Sequence, residues 1–157
     1  FIHRLRPGDC IQVEGPYGDF RLADGSQRDI LMIATGTGIS PIKSMLLSLL
    51  GQTGTRRIRL FFGLRNVSDL FYPKILSDLR ETYPWFEPTI ILSQPDPIGW
   101  PGLRGRVTDL IREQVSADEA SNTDAYLCGG RPMIEEAKRL LIRKGMKVDR
   151  IRHENFF

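Results

Sequence analysis

From residue 29 onward the apolar and polar positions alternate between two periodicities. Ile30-Leu31-Met32-Ile33-Ala34 is an unbroken apolar run bounded by polar residues, the pattern of a strand covered on both faces. After Thr35-Gly36-Thr37-Gly38-Ile39-Ser40-Pro41, apolar residues recur at 42, 45, 46, 49 and 50. That spacing is one face of a helix, with Ser40 as N-cap, Pro41 in its first turn and Gly51 as its stop. A second strand reads Ile58-Arg59-Leu60-Phe61-Phe62, and its helix carries Phe71, Ile75, Leu76 and Leu79. A third reads Thr89-Ile90-Ile91-Leu92, with Val107, Leu110 and Ile111 on one side of the helix that follows. The fourth, Ala125-Tyr126-Leu127-Cys128, leads through Gly129-Gly130 into a helix with Pro132 early and Gly145 late, and Asp149-Arg150-Ile151-Arg152 reads as a fifth. Residues 116–124 read as a flexible surface loop. This alternation predicts an α/β fold, a five-stranded doubly wound parallel sheet with helices on both faces. Ligands bind such sheets beyond the carboxyl ends of the strands, so 35–41, 63–69, 93–105 and 128–132 are expected on one rim.

The first 28 residues follow a different rule. Asp9-Cys10-Ile11-Gln12-Val13-Glu14-Gly15 alternates with period two, as a half-buried strand does. Gly15-Pro16-Tyr17-Gly18 is a turn cluster, and Phe20-Arg21-Leu22 reads as a short second strand. Two strands make no stable unit by themselves. Residues 1–28 are therefore expected to be the end of a preceding unit, and 29–157 a domain of their own. A first residue that is Phe1 rather than Met fits a piece of a longer polypeptide.

Composition narrows the function classes. The 157 residues are 41% hydrophobic and 26% charged, values suited to one globular domain with a core. No window approaches the roughly 18 apolar residues of a membrane span, and the expected location is cytoplasmic. The net charge of 22 − 19 = +3 is scattered, and Arg56-Arg57-Arg59 is too short a cluster to imply nucleic acid. Two cysteines and two histidines, far apart, supply neither a disulfide framework nor metal spacing. A phosphate-binding Gly-x-x-x-x-Gly-Lys-Ser/Thr loop and a Gly-x-Ser-x-Gly elbow are both missing.

Two segments remain that can carry chemistry. Gly36-Thr37-Gly38 opens a helix directly after a buried strand, where free N–H groups and the helix dipole favour a phosphate. The dinucleotide fingerprint places a third glycine where Pro41 stands, and small residues also serve tight strand–helix turns. Cys128-Gly129-Gly130-Arg131-Pro132 repeats the strand–glycine–helix arrangement. The Cys128 thiol faces the same crevice or is an inert buried residue. A dinucleotide pocket without acid–base machinery suits a protein whose cofactors perform the reaction.

Taken in order, Gly36-Thr37-Gly38-Ile39-Ser40-Pro41, Phe62-Gly63-Leu64-Arg65 with Asp69-Leu70-Phe71-Tyr72, Leu92-Ser93-Gln94-Pro95, Gly105-Arg106-Val107-Thr108 and Tyr126-Leu127-Cys128-Gly129 form a set. Over residues 9–157 the chain resembles the pyridine-nucleotide domain of the ferredoxin–NADP reductase superfamily. The resemblance is nearest to the NADH-dependent reductase components of bacterial oxygenases. It implies a flavin-binding β-barrel ahead of the sheet, with Gly15-Pro16-Tyr17-Gly18-Asp19-Phe20 as the turn and last strand that close it. The Arg-x-Tyr-Ser flavin motif and the Cys-x4-Cys-x2-Cys cluster motif are not in this chain. FAD is therefore expected in the barrel of the same parent chain, and a 2Fe–2S centre in a partner or another domain.

The resemblance also implies roles. Gly36, Thr37 and Gly38 would cradle the NAD(P) pyrophosphate, with Pro41 at the helix start. Arg65 and the stretch Asp69, Phe71 and Tyr72 would lie by the adenosine half. Cys128 and Gly129 would flank the nicotinamide, with Gly130 and Pro132 shaping the loop. Glu154 would orient the nicotinamide, and Phe156, with Phe157 one residue beyond, would stack on the flavin. The implied activity is hydride transfer from NADH (alternatively NADPH) to FAD, with electrons passed to a ferredoxin-type or oxygenase acceptor. A non-catalytic nucleotide-binding subunit is the competing reading.

Overall fold

The apolar run after residue 29 becomes the centre of a sheet because both of its faces are covered. In the computed structural model, which describes residues 2–15, 17–50, 56–95 and 99–156, β1 (Asp29–Thr35) pairs in parallel with β2 (Ile58–Leu64) on one side and β5 (Thr123–Gly129) on the other. Strand β3 (Phe86–Leu92) and the two-residue β4 (Leu103–Arg104) extend the β2 side, and β6 (Ile151–Asn155) extends the β5 side. All pairings are parallel and the order is β4-β3-β2-β1-β5-β6. The chain builds outward from β1 in one direction, then crosses over to build in the other. The crevice between those two directions is the switch point.

Alternation within the strands divides the core in two. Ile30, Met32 and Ala34 point to the face covered by α1 (Ile39–Leu50) and α2 (Pro73–Thr82). Leu31 and Ile33 point to the face covered by α3 (Val107–Gln114), α4 (Ala117–Ser121) and α5 (Arg131–Arg143). Burying each such large aliphatic side chain contributes about 1.5–3 kcal/mol, so both helical layers are held mainly by apolar contact. Among the described residues, no helix is long and apolar enough to cross a membrane.

Several expectations require correction. The sheet has six strands, because the backbone at Leu103 and Arg104 pairs with Ile91 and Leu92; two residues are too few to show a period in sequence. Residues 9–15 and 20–22 form no strand among the described residues. Ile11 and Val13 are exposed with no neighbouring strand to complete their alternation. Helix α1 begins at Ile39 after a short 3-10 turn over Gly36–Gly38, which places Ser40 inside the helix rather than at its cap; the expected stop, Gly51, lies outside the described residues. Phe71 precedes α2, and both Phe71 and Ile75 are exposed.

The segment 116–124 is not a loop. Ser116 caps α4, its hydroxyl accepting the Glu119 N–H at 3.1 Å, and Thr123 and Asp124 already lie in β5. A charge inside a strand explains why α4 docks. Arg59 of β2 is buried over the Phe61 ring, and its guanidinium donates to Glu119 of α4 at 2.7 Å and to the Gln114 carbonyl at 3.1 Å. A buried guanidinium left without those acceptors would be heavily penalised. Local sequence cannot show that partnership, which spans 60 residues.

Candidate functional site

The four loops expected on one rim meet there. Beyond the carboxyl ends of β1, β2, β3 and β5 lies a cleft of about 930 Å³. Thr35, Gly36 and Thr37 form one wall, Leu64 and Arg65 another, Ser93 and Gln94 a third, and Pro132 and Met133 the mouth of α5. The connections are short and fixed by backbone hydrogen bonds. Ser93 N–H donates to the Leu64 carbonyl and Gln94 N–H to the Arg65 carbonyl, each at 2.9 Å.

The turn after β1 has two glycines with different jobs. Gly36 has φ +53°, in the left-handed region, and open space where a side chain would project. It lets the chain turn from strand to helix at the cleft wall. Gly38 is buried against β5: a Cβ there would stand 2.3 Å from the Cys128 carbonyl oxygen. Gly38 therefore permits close approach of helix and strand, and does not line the cleft.

The cleft carries both signs of charge. Three carboxylates line it, and all are engaged. Asp69 accepts the Asn66 N–H at 3.1 Å. Asp109 accepts the Arg106 N–H at 2.8 Å and the Arg112 guanidinium at 2.6 Å, and Glu136 pairs with the same Arg112. Arg65 and Arg106 line the same cleft and form no ion pair among the described residues. The first turn of α3, with Val107 and Thr108 on the cleft wall, adds helix-terminal N–H groups. Arg-rich surroundings and free backbone donors suit phosphate oxygens.

Of the residues expected at the site, Gly36, Thr37, Arg65, Asp69, Phe71 and Pro132 line this cleft. Gly38, Pro41, Tyr72, Gly129, Gly130, Cys128, Glu154 and Phe156 do not. Pro41 is half-buried in the first turn of α1. Tyr72 caps α2 at φ +58°, with the Lys43 ammonium 4.2 Å above its ring. Phe157 lies outside the described residues. Ser93, Gln94, Arg106 and Thr108 also line the cleft; the sequence motifs include them but assign them no role, and Met133 and Glu136 belong to none of those motifs. The signal for Arg106 was its place in the Gly105-Arg106-Val107-Thr108 motif at the entrance of a helix.

A second group gathers at the carboxyl end of β5. Cys128 and Glu154 are register partners across β5 and β6, and the Phe156 N–H donates to the Gly129 carbonyl at 3.0 Å. Phe156 packs on the same apolar cluster that encloses Cys128. Glu154 faces a smaller cleft of about 250 Å³ shared with Asp19, Phe20, Arg152 and His153. Burial, reinforced by the Glu154 charge, pushes the Cys128 thiol up to about 12. A thiol so held stays protonated near neutral pH and is no nucleophile. Among the described residues, no group of three or more His, Cys, Asp or Glu could hold a metal ion.

Residues 32–139 match the family model described as the oxidoreductase NAD-binding domain. The chain is 36% identical to the reductase component DmpP of phenol 2-monooxygenase from Pseudomonas sp. strain CF600, over 100% of this chain and 45% of that protein. It is 33% identical to the reductase component of propane 2-monooxygenase from Mycolicibacterium goodii, over 97% of this chain and 44% of that protein. It thus spans less than half the length of these relatives. Among solved structures, the cytochrome P450 reductase GcoB of Amycolatopsis superposes with a TM-score of 0.81 at 27% identity, over 90% of this chain and 42% of that one.

Proposed function

This chain belongs to the oxidoreductase NAD-binding domain family, and from that premise we propose that it is the nucleotide-binding half of a cytoplasmic flavoprotein reductase. In this reading residues 29–157 bind NADH and present its nicotinamide to FAD. The flavin is carried by a barrel domain of the same parent chain, to which residues 1–28 contribute the end and the linker. The electrons go on to a 2Fe–2S centre or ferredoxin-type acceptor of an oxygenase system. The names of the two relatives, both reductase components of monooxygenases, support that acceptor class.

One observation carries the reading. The cleft at the switch point combines two arginines without ion pairs among the described residues, three carboxylates already engaged, and the strand–helix turn at Gly36 and Thr37 in its wall. That donor set fits a dinucleotide pyrophosphate. Arg65 and Arg106 would hold phosphate oxygens, with Gly36 and Thr37 supplying backbone. Phe71 offers an exposed ring to the cleft, suited to the adenosine half. Bound there, reduced nucleotide supplies a hydride.

The chain's own part is to bind, orient and exclude water. Phe156 would cover the apolar surface over β5 and give way as the nicotinamide enters. Glu154 would orient the carboxamide, and Cys128 would act by packing as a neutral thiol, consistent with its raised pKa. Cys128→Ala in the complete protein is expected to slow hydride transfer while nucleotide affinity changes little. An unchanged transient-kinetic rate would refute that role. NADPH is the second reading, favoured by the second cleft guanidinium, since a 2′-phosphate calls for a cation.

The deciding experiment uses the full-length parent. Its visible spectrum is recorded, and it is titrated anaerobically with NADH and then NADPH. Flavin bands bleached at the lower concentration by NADH support the proposal. Absence of flavin, or no bleaching by either nucleotide, removes it.

A further inference from the structure

Residues 20–28 are tied to the sheet from rim to base. At the rim, Asp19 and Phe20 line the small cleft with Glu154. The chain then descends one face of β5. The Phe20 ring packs tilted against Tyr126 with centroids 6.4 Å apart, and Leu22 joins the same apolar cluster. The Ala23 N–H donates to the Tyr126 hydroxyl at 2.9 Å. At the base, the Ser26 hydroxyl donates to the carboxylate of Asp124, and Arg28 lies 3.8 Å from that carboxylate. Arg56 donates to the Ser26 carbonyl at 2.6 Å. The chain then enters β1, where Asp29 is the register partner of Thr123.

Tyr126 and Asp124 are each only 2% exposed. Their polar atoms need partners, since a buried oxygen without one is penalised more than a hydrogen bond is worth. The strap supplies those partners. A free linker between domains would show few contacts crossing it, whereas this one is anchored by hydrogen bonds, an ion pair and ring packing.

We infer that Tyr126 and Asp124 are positioning residues: they lock 20–28 as a strap, so that whatever the chain carries ahead of Phe20 is fixed relative to the β5–β6 rim where Cys128 and Glu154 lie. The inference rests on the flavin-reductase reading and deepens it. The approach of flavin to nicotinamide is set by a rigid connection, and any hinge lies ahead of Phe20 rather than at residue 28. An error of about 1 Å in such an approach costs up to roughly 100-fold in rate, which gives the anchors a functional consequence beyond stability.

The test compares wild type, Tyr126→Phe and Ser26→Ala in the full-length flavoprotein. Each variant removes one anchor and preserves packing. Amide hydrogen exchange at Ala23 is expected to rise about fivefold in Tyr126→Phe, the equivalent of one hydrogen bond. The flavin-bleaching rate at saturating NADH is expected to fall about tenfold in both variants while the NADH Kd stays unchanged. A merely structural role would lower the melting temperature without separating rate from affinity. Unaltered exchange in Tyr126→Phe overturns the strap, and faster exchange with wild-type bleaching overturns its positioning role. If NADH fails to bleach even the wild-type flavin, the flavin-reductase reading fails, and the exchange data still judge the strap.

Discussion

The alpha carbon of Gly38 is packed onto the carbonyl of Cys128, so tightly that a methyl group on it would lie 2.3 Å from that oxygen and 2.6 Å from its carbon. This contact joins the turn after β1 to the end of β5 and closes the sheet's switch point. It brings together the two glycine-containing turns that the sequence places 90 residues apart, and it sets the width of the crevice between them.

The two glycines of that turn should respond differently to the same substitution. Gly38→Ala forces backbone against backbone, and overpacking of this kind costs about 1–3 kcal/mol. Gly36→Ala meets open space and carries only the left-handed backbone penalty, about 1–2 kcal/mol. Urea denaturation should show Gly38→Ala as the larger loss. In the full-length protein it should also weaken nucleotide binding, because α1 must shift away from β5. Equal losses with unchanged binding would contradict the division of labour between the two positions.

Arg65→Gln and Arg106→Gln should each weaken nucleotide binding tenfold or more, since a hydrogen bond to a charged group is worth about 1.5–3 kcal/mol. The loss should shrink at high salt, as exposed charges are screened. Calorimetric titration of the full-length protein with NADH and NADPH measures both points. A variant that loses NADPH affinity while keeping NADH affinity would assign its arginine to the 2′-phosphate, and unchanged affinity for both would remove it from the site.

The Cys128 thiol, pushed up to about 12 by burial and the Glu154 charge, resists ionisation. In the unfolded chain it ionises near its ordinary value of 9.0. Above that pH the unfolded state binds fewer protons than the folded one, so stability falls as pH rises from about 9 toward 12. Cys128→Ala should flatten this alkaline limb in denaturation curves taken at pH 8 and 10.5. At pH 8, iodoacetamide should label the exposed Cys10 and spare Cys128, which mass spectrometry of the digested protein can read.

Asp109 both closes the first turn of α3 and faces the cleft. Asp109→Ala removes an acceptor from the Arg106 N–H and should cost about 1 kcal/mol of stability, the usual value of a cap. It also frees Arg112, which then has only Glu136. Nucleotide binding should hold or tighten, because a negative charge has left the cleft proposed to hold the pyrophosphate. A clear loss of binding would mean that the carboxylate itself contacts the ligand.

How much of this was legible beforehand follows from range. The apolar run at 30–34 and the helical spacing at 42–50 state their own periodicity, so the five long strands, the parallel α/β class and the rim of loops could be read from neighbours alone. Gly36 and Thr37 could be placed at the cleft because a strand–turn–helix boundary is a local event. Tertiary structure decided the rest. Leu103 and Arg104 pair only because Ile91 and Leu92 offer an edge. Helix α4 forms where a loop was expected because Arg59, buried 60 positions earlier, needs Glu119. Arg106 faces the cleft because α3 packs where it does, and Cys128 is sealed from that cleft because a strand's residues alternate between two faces. Phe20-Arg21-Leu22 reads as a short strand in sequence, yet Tyr126 and Asp124 make residues 20–28 a strap. Periodicity records which side of an element is apolar, and burial, pairing and charge partners depend on what the folded chain brings against it.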